Sequence, residues 1–134
     1  MIPFTTSESI LVVDECEPLC ELIEVILCRV GYRVLTATNG ADALALAGSS
    51  PKIDLLLSDV ELPGMAGDEL AVRFVTLHPL AQVILVSSLN YPNAITVPFE
   101  FLAKPFTVTE LRNTVRRALR TRRRKPAAEV LHAV

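Results

Sequence analysis

Apolar residues along this chain arrive in short runs separated by polar turns. Ile10-Leu11-Val12-Val13 is a β-branched run that ends in Asp14-Glu15. Leu55-Leu56-Leu57 ends in Ser58-Asp59, and Val83-Ile84-Leu85-Val86 ends in Ser87-Ser88. Continuous apolar runs of this length read as strands buried on both faces, as in parallel sheets. Residues 32–37 form a less apolar second strand, suited to an edge. Residues 99–103 alternate and form a short fifth.

The stretches between the strands carry helical spacing. Glu17 and Pro18 open a helix whose apolar face is Leu19, Ile23, Ile26, Leu27 and Val30, with Gly31 as its stop. Asn39-Gly40 is a turn before a short helix over 41–47, closed by Gly48-Ser49-Ser50-Pro51. Asp68 caps a helix to about Leu77, stopped by His78-Pro79. Thr107-Val108-Thr109-Glu110 is a capping box before a helix with Leu111, Val115, Ala118 and Leu119 on its inner face. Strand and helix alternate throughout. The expectation is one domain: a doubly wound α/β fold with a five-stranded, right-handed parallel sheet.

Residues 89–98 break the pattern. They hold Asn90, Pro92, Asn93 and Pro98, so a regular helix of two or three turns is not expected there. At the other end, Arg122-Arg123-Arg124-Lys125-Pro126 stops the last helix. Residues 127–134 are either a frayed tail or a further short turn. The domain is bounded at 8–122, with 123–134 as a basic C-terminal tail.

With 51% hydrophobic residues, 5% aromatic and no Trp, the core must be Leu, Val, Ile and Ala. The net charge of -2 hides an asymmetry. Residues 1–111 carry 14 acids and 5 bases, and residues 112–134 carry 8 bases and one acid. The basic run reads as the solvated end of a helix, favourable at a negative helix terminus, and nucleic-acid binding is not expected. Cys16, Cys20 and Cys28 lie in one helical stretch without a disulfide pattern, which fits a reducing compartment. Zinc at Cys16 and Cys20 is disfavoured against buried apolar cysteine, because no further Cys or His lies near them in sequence. No membrane span or signal peptide is read, and the expected location is the cytoplasm.

Candidate chemistry gathers at the strand ends. Asp14 and Glu15, Asp59, Ser87 and Lys104 each follow a strand, so a parallel sheet places them on one edge, on strands about 5 Å apart. Open α/β sheets bind ligands at that edge. Singly, each residue has an ordinary structural explanation; Asp59, for example, could be a turn aspartate. Together, three repelling carboxylates call for a hard cation such as Mg²⁺, and a lysine and a hydroxyl serve anionic oxygens. That is a phosphoryl-transfer set.

From Ser9 to Arg120 the sequence resembles the receiver domains of two-component response regulators, the CheY-like family. The matching pieces are Ile10 to Glu15, then Asp59 with Leu62-Pro63-Gly64-Met65 and Gly67, then Ser87, then Lys104-Pro105-Phe106. The resemblance implies a flavodoxin-like strand order 2-1-3-4-5 and makes Asp59 the phosphoacceptor. It implies Mg²⁺ held by Glu15, Asp59 and the Glu61 backbone carbonyl, with Asp14 acting mostly through water. It pairs Lys104 with a phosphoryl oxygen, makes Ser87 and Phe101 the switch residues, and expects a cis Lys104-Pro105 bond. The implied partner is a histidine kinase or histidine phosphotransfer protein, and the domain is a self-phosphorylating switch and not a conventional enzyme.

The chain departs from the family pattern between Ser87 and Lys104, which is short by about one helical turn. The fourth helix of the family is therefore expected to be short or irregular. Ala66 replaces a common aspartate. Three other readings stand beside the switch: a pseudo-receiver that only binds proteins, a receiver cut from a hybrid histidine kinase, and a phosphatase using Asp59. The last is disfavoured because haloacid-dehalogenase-like enzymes want a second Asp where Glu61 stands.

Overall fold

The computed structural model describes residues 8–88, 99–121 and 127–128. The strands are β1 (Ser9–Val13), β2 (Arg33–Ala37), β3 (Leu55–Asp59), β4 (Gln82–Ser87) and β5 (Glu100–Ala103). The helices are α1 (Glu17–Cys28), α2 (Gly40–Ser49), α3 (Gly67–Leu77) and α4 (Val108–Thr121). All strand pairs are parallel, in the order β2-β1-β3-β4-β5. This is the expected doubly wound, flavodoxin-like sheet.

The apolar runs are continuous because both sheet faces are covered. Side chains alternate along each strand. Leu11, Val13, Leu56, Val83 and Leu85 join α2 and α3 in one buried cluster. Ile10, Val12, Leu55, Leu57, Ile84 and Val86 join α1 and α4 in the other. A fully buried Leu contributes about 1.5–3 kcal/mol in transfer free energy, so these two layers dominate the stability.

Helix ends follow side-chain chemistry in most places. Thr107 and Glu110 form the reciprocal box: the Glu110 amide donates to Thr107 Oγ1 at 3.0 Å, and the Thr107 amide donates to Glu110 Oε1 at 2.8 Å. Leu111, Val115, Ala118 and Leu119 are buried as expected. The Asn39-Gly40 turn proves to be a helix cap, with Asn39 Oδ1 accepting from the Asp42 amide at 2.8 Å. That cap lets α2 begin at Gly40 and run through Gly48 to Ser49.

Several expectations are corrected. Asp68 does not cap α3. The cap position is Ala66, without a side-chain bond, and Asp68 sits inside the first turn with its Oδ1 accepting from the Glu69 amide at 3.0 Å. Val30 lies beyond α1 and is exposed, because the helix closes at Cys28 and Gly31 turns away with φ 109°. Of the three cysteines only Cys20 is buried; Cys16 and Cys28 are exposed. Burial pushes the Cys20 thiol up to about 11, and its Sγ–H points at the Asp14 carbonyl, 3.3 Å away.

The expected irregular segment at 89–98 lies outside the described residues. At the C-terminus, residues 127 and 128 form a helical turn and both are buried. Of residues 127–134 these two alone are described, and at them the further turn is the alternative seen.

Gly67 fixes how α3 meets the sheet. Its amide donates to Val60 O at 2.7 Å, and a Cβ at this position would lie 2.1 Å from Asp59 O. The loop 60–66 therefore folds back onto β3 only because residue 67 lacks a side chain. A Cβ on Gly48 meets nothing within 4 Å. Gly67→Ala is expected to lower stability by about 1–3 kcal/mol, the scale of overpacking. Gly48→Ala should raise it by up to about 1 kcal/mol through helix propensity. Urea unfolding of the two variants would show opposite signs; equal effects would contradict the close approach.

Candidate functional site

Strand register builds the site. Val13 lies opposite Ser58, so Asp14 and Asp59, one residue further on, are level. Asp59 pairs with Val86 and Ser87 with Ala103, which puts Lys104 at the same edge. The Lys104 amide closes that edge by donating to Ser87 O at 2.8 Å. The Lys104-Pro105 bond is cis, as the resemblance implied.

The side chains converge as well. Lys104 Nζ donates to Asp14 Oδ2 at 2.7 Å and to Asp59 Oδ2 at 2.9 Å. The second oxygen of each carboxylate accepts from the backbone two residues on. Asp14 Oδ1 takes the Cys16 amide at 2.9 Å, and Asp59 Oδ1 takes the Glu61 amide at 3.1 Å. Asp59 thus makes the aspartate turn of the plainer reading, and it faces a lysine too. Two anions share one cation in a largely buried place, with the Lys104 side chain 22% exposed and Asp59 13%.

Burial alone would lower the Lys104 pKa. The hydrogen bonds and charges of Asp14 and Asp59 outweigh it, and the ammonium is held above its usual value. The group stays charged, and one net negative charge remains on the trio.

The remaining candidates lie close by. Ser87 is buried at the tip of β4. Glu15 and Glu61 are exposed beside Asp14 and Asp59. Phe101 is half-buried and packs against the α2/α3 cluster, whereas Leu102 belongs to the α1/α4 cluster. Sequence reasoning missed the parts that aim the carboxylates. Those are the Cys16 and Glu61 amides, the Cys20 thiol beneath Asp14 and the Gly67 approach to Asp59 O. Only Gly67 left a legible signal, as a glycine soon after a strand-end acid.

Comparison with known proteins decides the family. The family model for the response regulator receiver domain matches residues 10–116. The chain belongs to the response regulator receiver domains. It is 30% identical to sporulation initiation phosphotransferase F of Bacillus subtilis, over 84% of this chain and 94% of that one. It is 34% identical to the DNA-binding transcriptional regulator NtrC of Escherichia coli over 81% of this chain, but spans only 24% of NtrC. The transcriptional regulatory protein YbdJ of Bacillus subtilis is likewise spanned only in part, over 46% of its length. Among solved structures, the response regulator TrrA of Thermotoga maritima, in complex with Mg²⁺-BeF, superposes with a TM-score of 0.74 at 32% identity. That match covers 83% of this chain and 98% of TrrA. This receiver domain is therefore CheY-like and of the two-component class, and a phosphoacceptor role is consistent with it. Among the described residues, no helix is long and apolar enough to cross a membrane.

The Lys104 bridge has a measurable alkaline signature. A group whose folded pKa is raised contributes stability that is complete below its unfolded value, about 10.4 for lysine, and is lost as pH rises through the folded value. Cys20 and Tyr32, both raised chiefly by burial, act in the same direction. Urea unfolding of the wild type from about pH 8 to 11 should therefore show falling stability. Lys104→Met should be less stable near neutrality and lose the lysine part of the alkaline fall while keeping the rest. Parallel curves for the two proteins would remove the bridge from the energetics.

Proposed function

We propose that this receiver domain takes a phosphoryl group from a phosphohistidine onto Asp59. The supporting observation is Lys104 Nζ placed between Asp14 and Asp59 at the sheet's carboxyl edge. One carboxylate oxygen of Asp59 attacks phosphorus in line; the phosphorus–nitrogen bond breaks, and the donor imidazole, already protonated on its other nitrogen, keeps the bonding pair and leaves neutral. The product is an acyl phosphate on Asp59. Lys104 already sits where the transferred oxygens arrive, and stabilises their charge as the carboxylate gives up its own. The Glu61 amide holds Asp59 Oδ1 and so orients the attacking group. Ser87 donates its hydroxyl to a phosphoryl oxygen. Phe101 follows towards the space vacated, which shifts the population between two states of the β4–β5 surface.

The donor set fits Mg²⁺. Among the described residues, no three Asp, Glu, His or Cys side chains gather into a metal cage. Mg²⁺ asks for less, since it keeps several waters and takes one or two carboxylates. Glu15, Asp59 and the Glu61 carbonyl would hold it, with Asp14 acting through water. When bound it supplies positive charge against the transferred phosphoryl oxygens.

The partner of this reading is a histidine kinase or histidine phosphotransfer protein, met in the cytoplasm. The main competitor is a pseudo-receiver that binds proteins without phosphorylation. The intact Asp14, Asp59 and Lys104 set favours the switch. A phosphatase is disfavoured because Glu61, exposed beside Asp59, replaces the general-acid aspartate.

Intact-mass analysis after treatment with a small phosphodonor and Mg²⁺ tests this directly. The wild type should gain one phosphoryl group. Asp59→Asn should gain none while keeping its fold and melting within a few degrees of wild type, because the weakened attraction to Lys104 is offset by relief of the like charge beside Asp14, and the amide oxygen can still accept one hydrogen bond. Mg²⁺ alone should raise the melting temperature by mass action, and Glu15→Ala should lose most of that rise. Undiminished labelling of Asp59→Asn would refute the assignment, and equal Mg²⁺ stabilisation of Glu15→Ala would move the metal elsewhere.

A further inference from the structure

α4 belongs to the cluster on the α1 side of the sheet, but Ala127 and Ala128 do not. Ala127 and Ala128 are 2% and 9% exposed and belong to the opposite cluster, with α2 and α3. The Ala127 amide donates to Ala81 O at 3.1 Å. Ala81 is the residue just before β4. Ala127 and Ala128 thus lie on the face opposite α4, at the foot of the strand whose tip is Ser87.

We propose that the turn at Ala127–Ala128 is an intramolecular ligand of this face, docked at the foot of β4, and that phosphorylation releases it. The regulatory half rests on the phosphoacceptor reading of Asp59; the docking half does not.

The receiving surface is rigid on the body side. The Ala81 amide donates to His78 O at 3.1 Å. The His78 ring is buried, stacked on Phe74, and bonded to the Ile53 amide at 3.3 Å and to Ala47 O at 2.8 Å. The ligand itself is slight. Among the described residues, one backbone hydrogen bond and two methyl groups favour docking by about tenfold to a hundredfold, an equilibrium that a modest structural change can reverse.

The link to the switch runs through shared packing. Ala127, Ala128 and Phe99 lie in one cluster, and Phe101 packs against that same cluster. β5 is tied to β4 by the pairs Ile84 with Glu100 and Leu85 with Phe101. Ser87 lies on the same face as Leu85, so movement of Phe101 towards it runs along this cluster, away from the foot of β4, and loosens the packing around Phe99 that the docked turn shares.

Amide exchange by NMR on the full chain tests both halves. The Ala127 amide should exchange about tenfold to a hundredfold more slowly than in a peptide of residues 122–134. Ala127→Pro, which removes the donor, should speed exchange at the foot of β4 and leave β1 unchanged. Ala127→Gly keeps the amide and loses only the methyl, and should fall between wild type and Ala127→Pro. Beryllofluoride with Mg²⁺ should then accelerate Ala127 exchange, and should not do so in Asp59→Asn. Exchange at the peptide rate in the untreated protein overturns the docking. Slow exchange that beryllofluoride leaves unchanged, although Asp59-dependent shifts show it bound, overturns the release alone. No beryllofluoride binding at all overturns the release together with the phosphoacceptor reading, and the docking still stands on the exchange of the untreated protein.

Discussion

Two carboxylates and one ammonium at the end of a parallel sheet carry this structure's chemistry. Asp14 and Asp59 are held level by strand register, and Lys104 reaches both from the far side of β4. Each component would be unfavourable alone. A buried carboxylate needs a partner, and two of them repel. The lysine satisfies one oxygen of each and leaves the trio one charge short of neutral. That residual charge suits the edge to a cation, and the bridging lysine suits it to anionic oxygens.

The backbone prepares the same atoms. Each aspartate turns its second oxygen to an amide two residues along, so neither is free to rotate away. The loop after Asp59 is drawn back against β3 by the Gly67 amide, at a distance that only glycine permits. Reactive groups here stand on strand ends and tight turns, which hold geometry better than a long loop would. The two buried layers on either face of the sheet supply that rigidity.

The two faces are not equivalent. α1 and α4 cover one with long apolar side chains, and the other is filled partly by the small residues Ala43, Ala47 and Ala71. The turn at Ala127 and Ala128 joins this second layer from beyond the last helix. Phe99, just before β5, lies in the same cluster and Phe101 of β5 packs against it, so β5 and the turn at Ala127 and Ala128 belong to one body of packed side chains.

The residue pattern alone determined the number of the strands, their parallel arrangement, and the identity of Asp14, Asp59, Ser87 and Lys104 as edge residues. Those properties follow from local run length and from a chain topology that leaves few choices. The spatial order of the strands came with the family resemblance. The burial of Cys20 but not Cys16 or Cys28, the exposure of Val30 and the start of α3 at Gly67 were decided only by tertiary contacts. They depend on which way a helix face turns and where it ends, and single-residue shifts at a helix end are invisible to periodicity. The lysine's simultaneous reach to two aspartates is of the same kind. It requires residues 45 and 90 positions apart in sequence to meet within hydrogen-bonding distance. The return of Ala127 to Ala81 was legible even less, because two alanines after a basic run carry no signal of the face they will join.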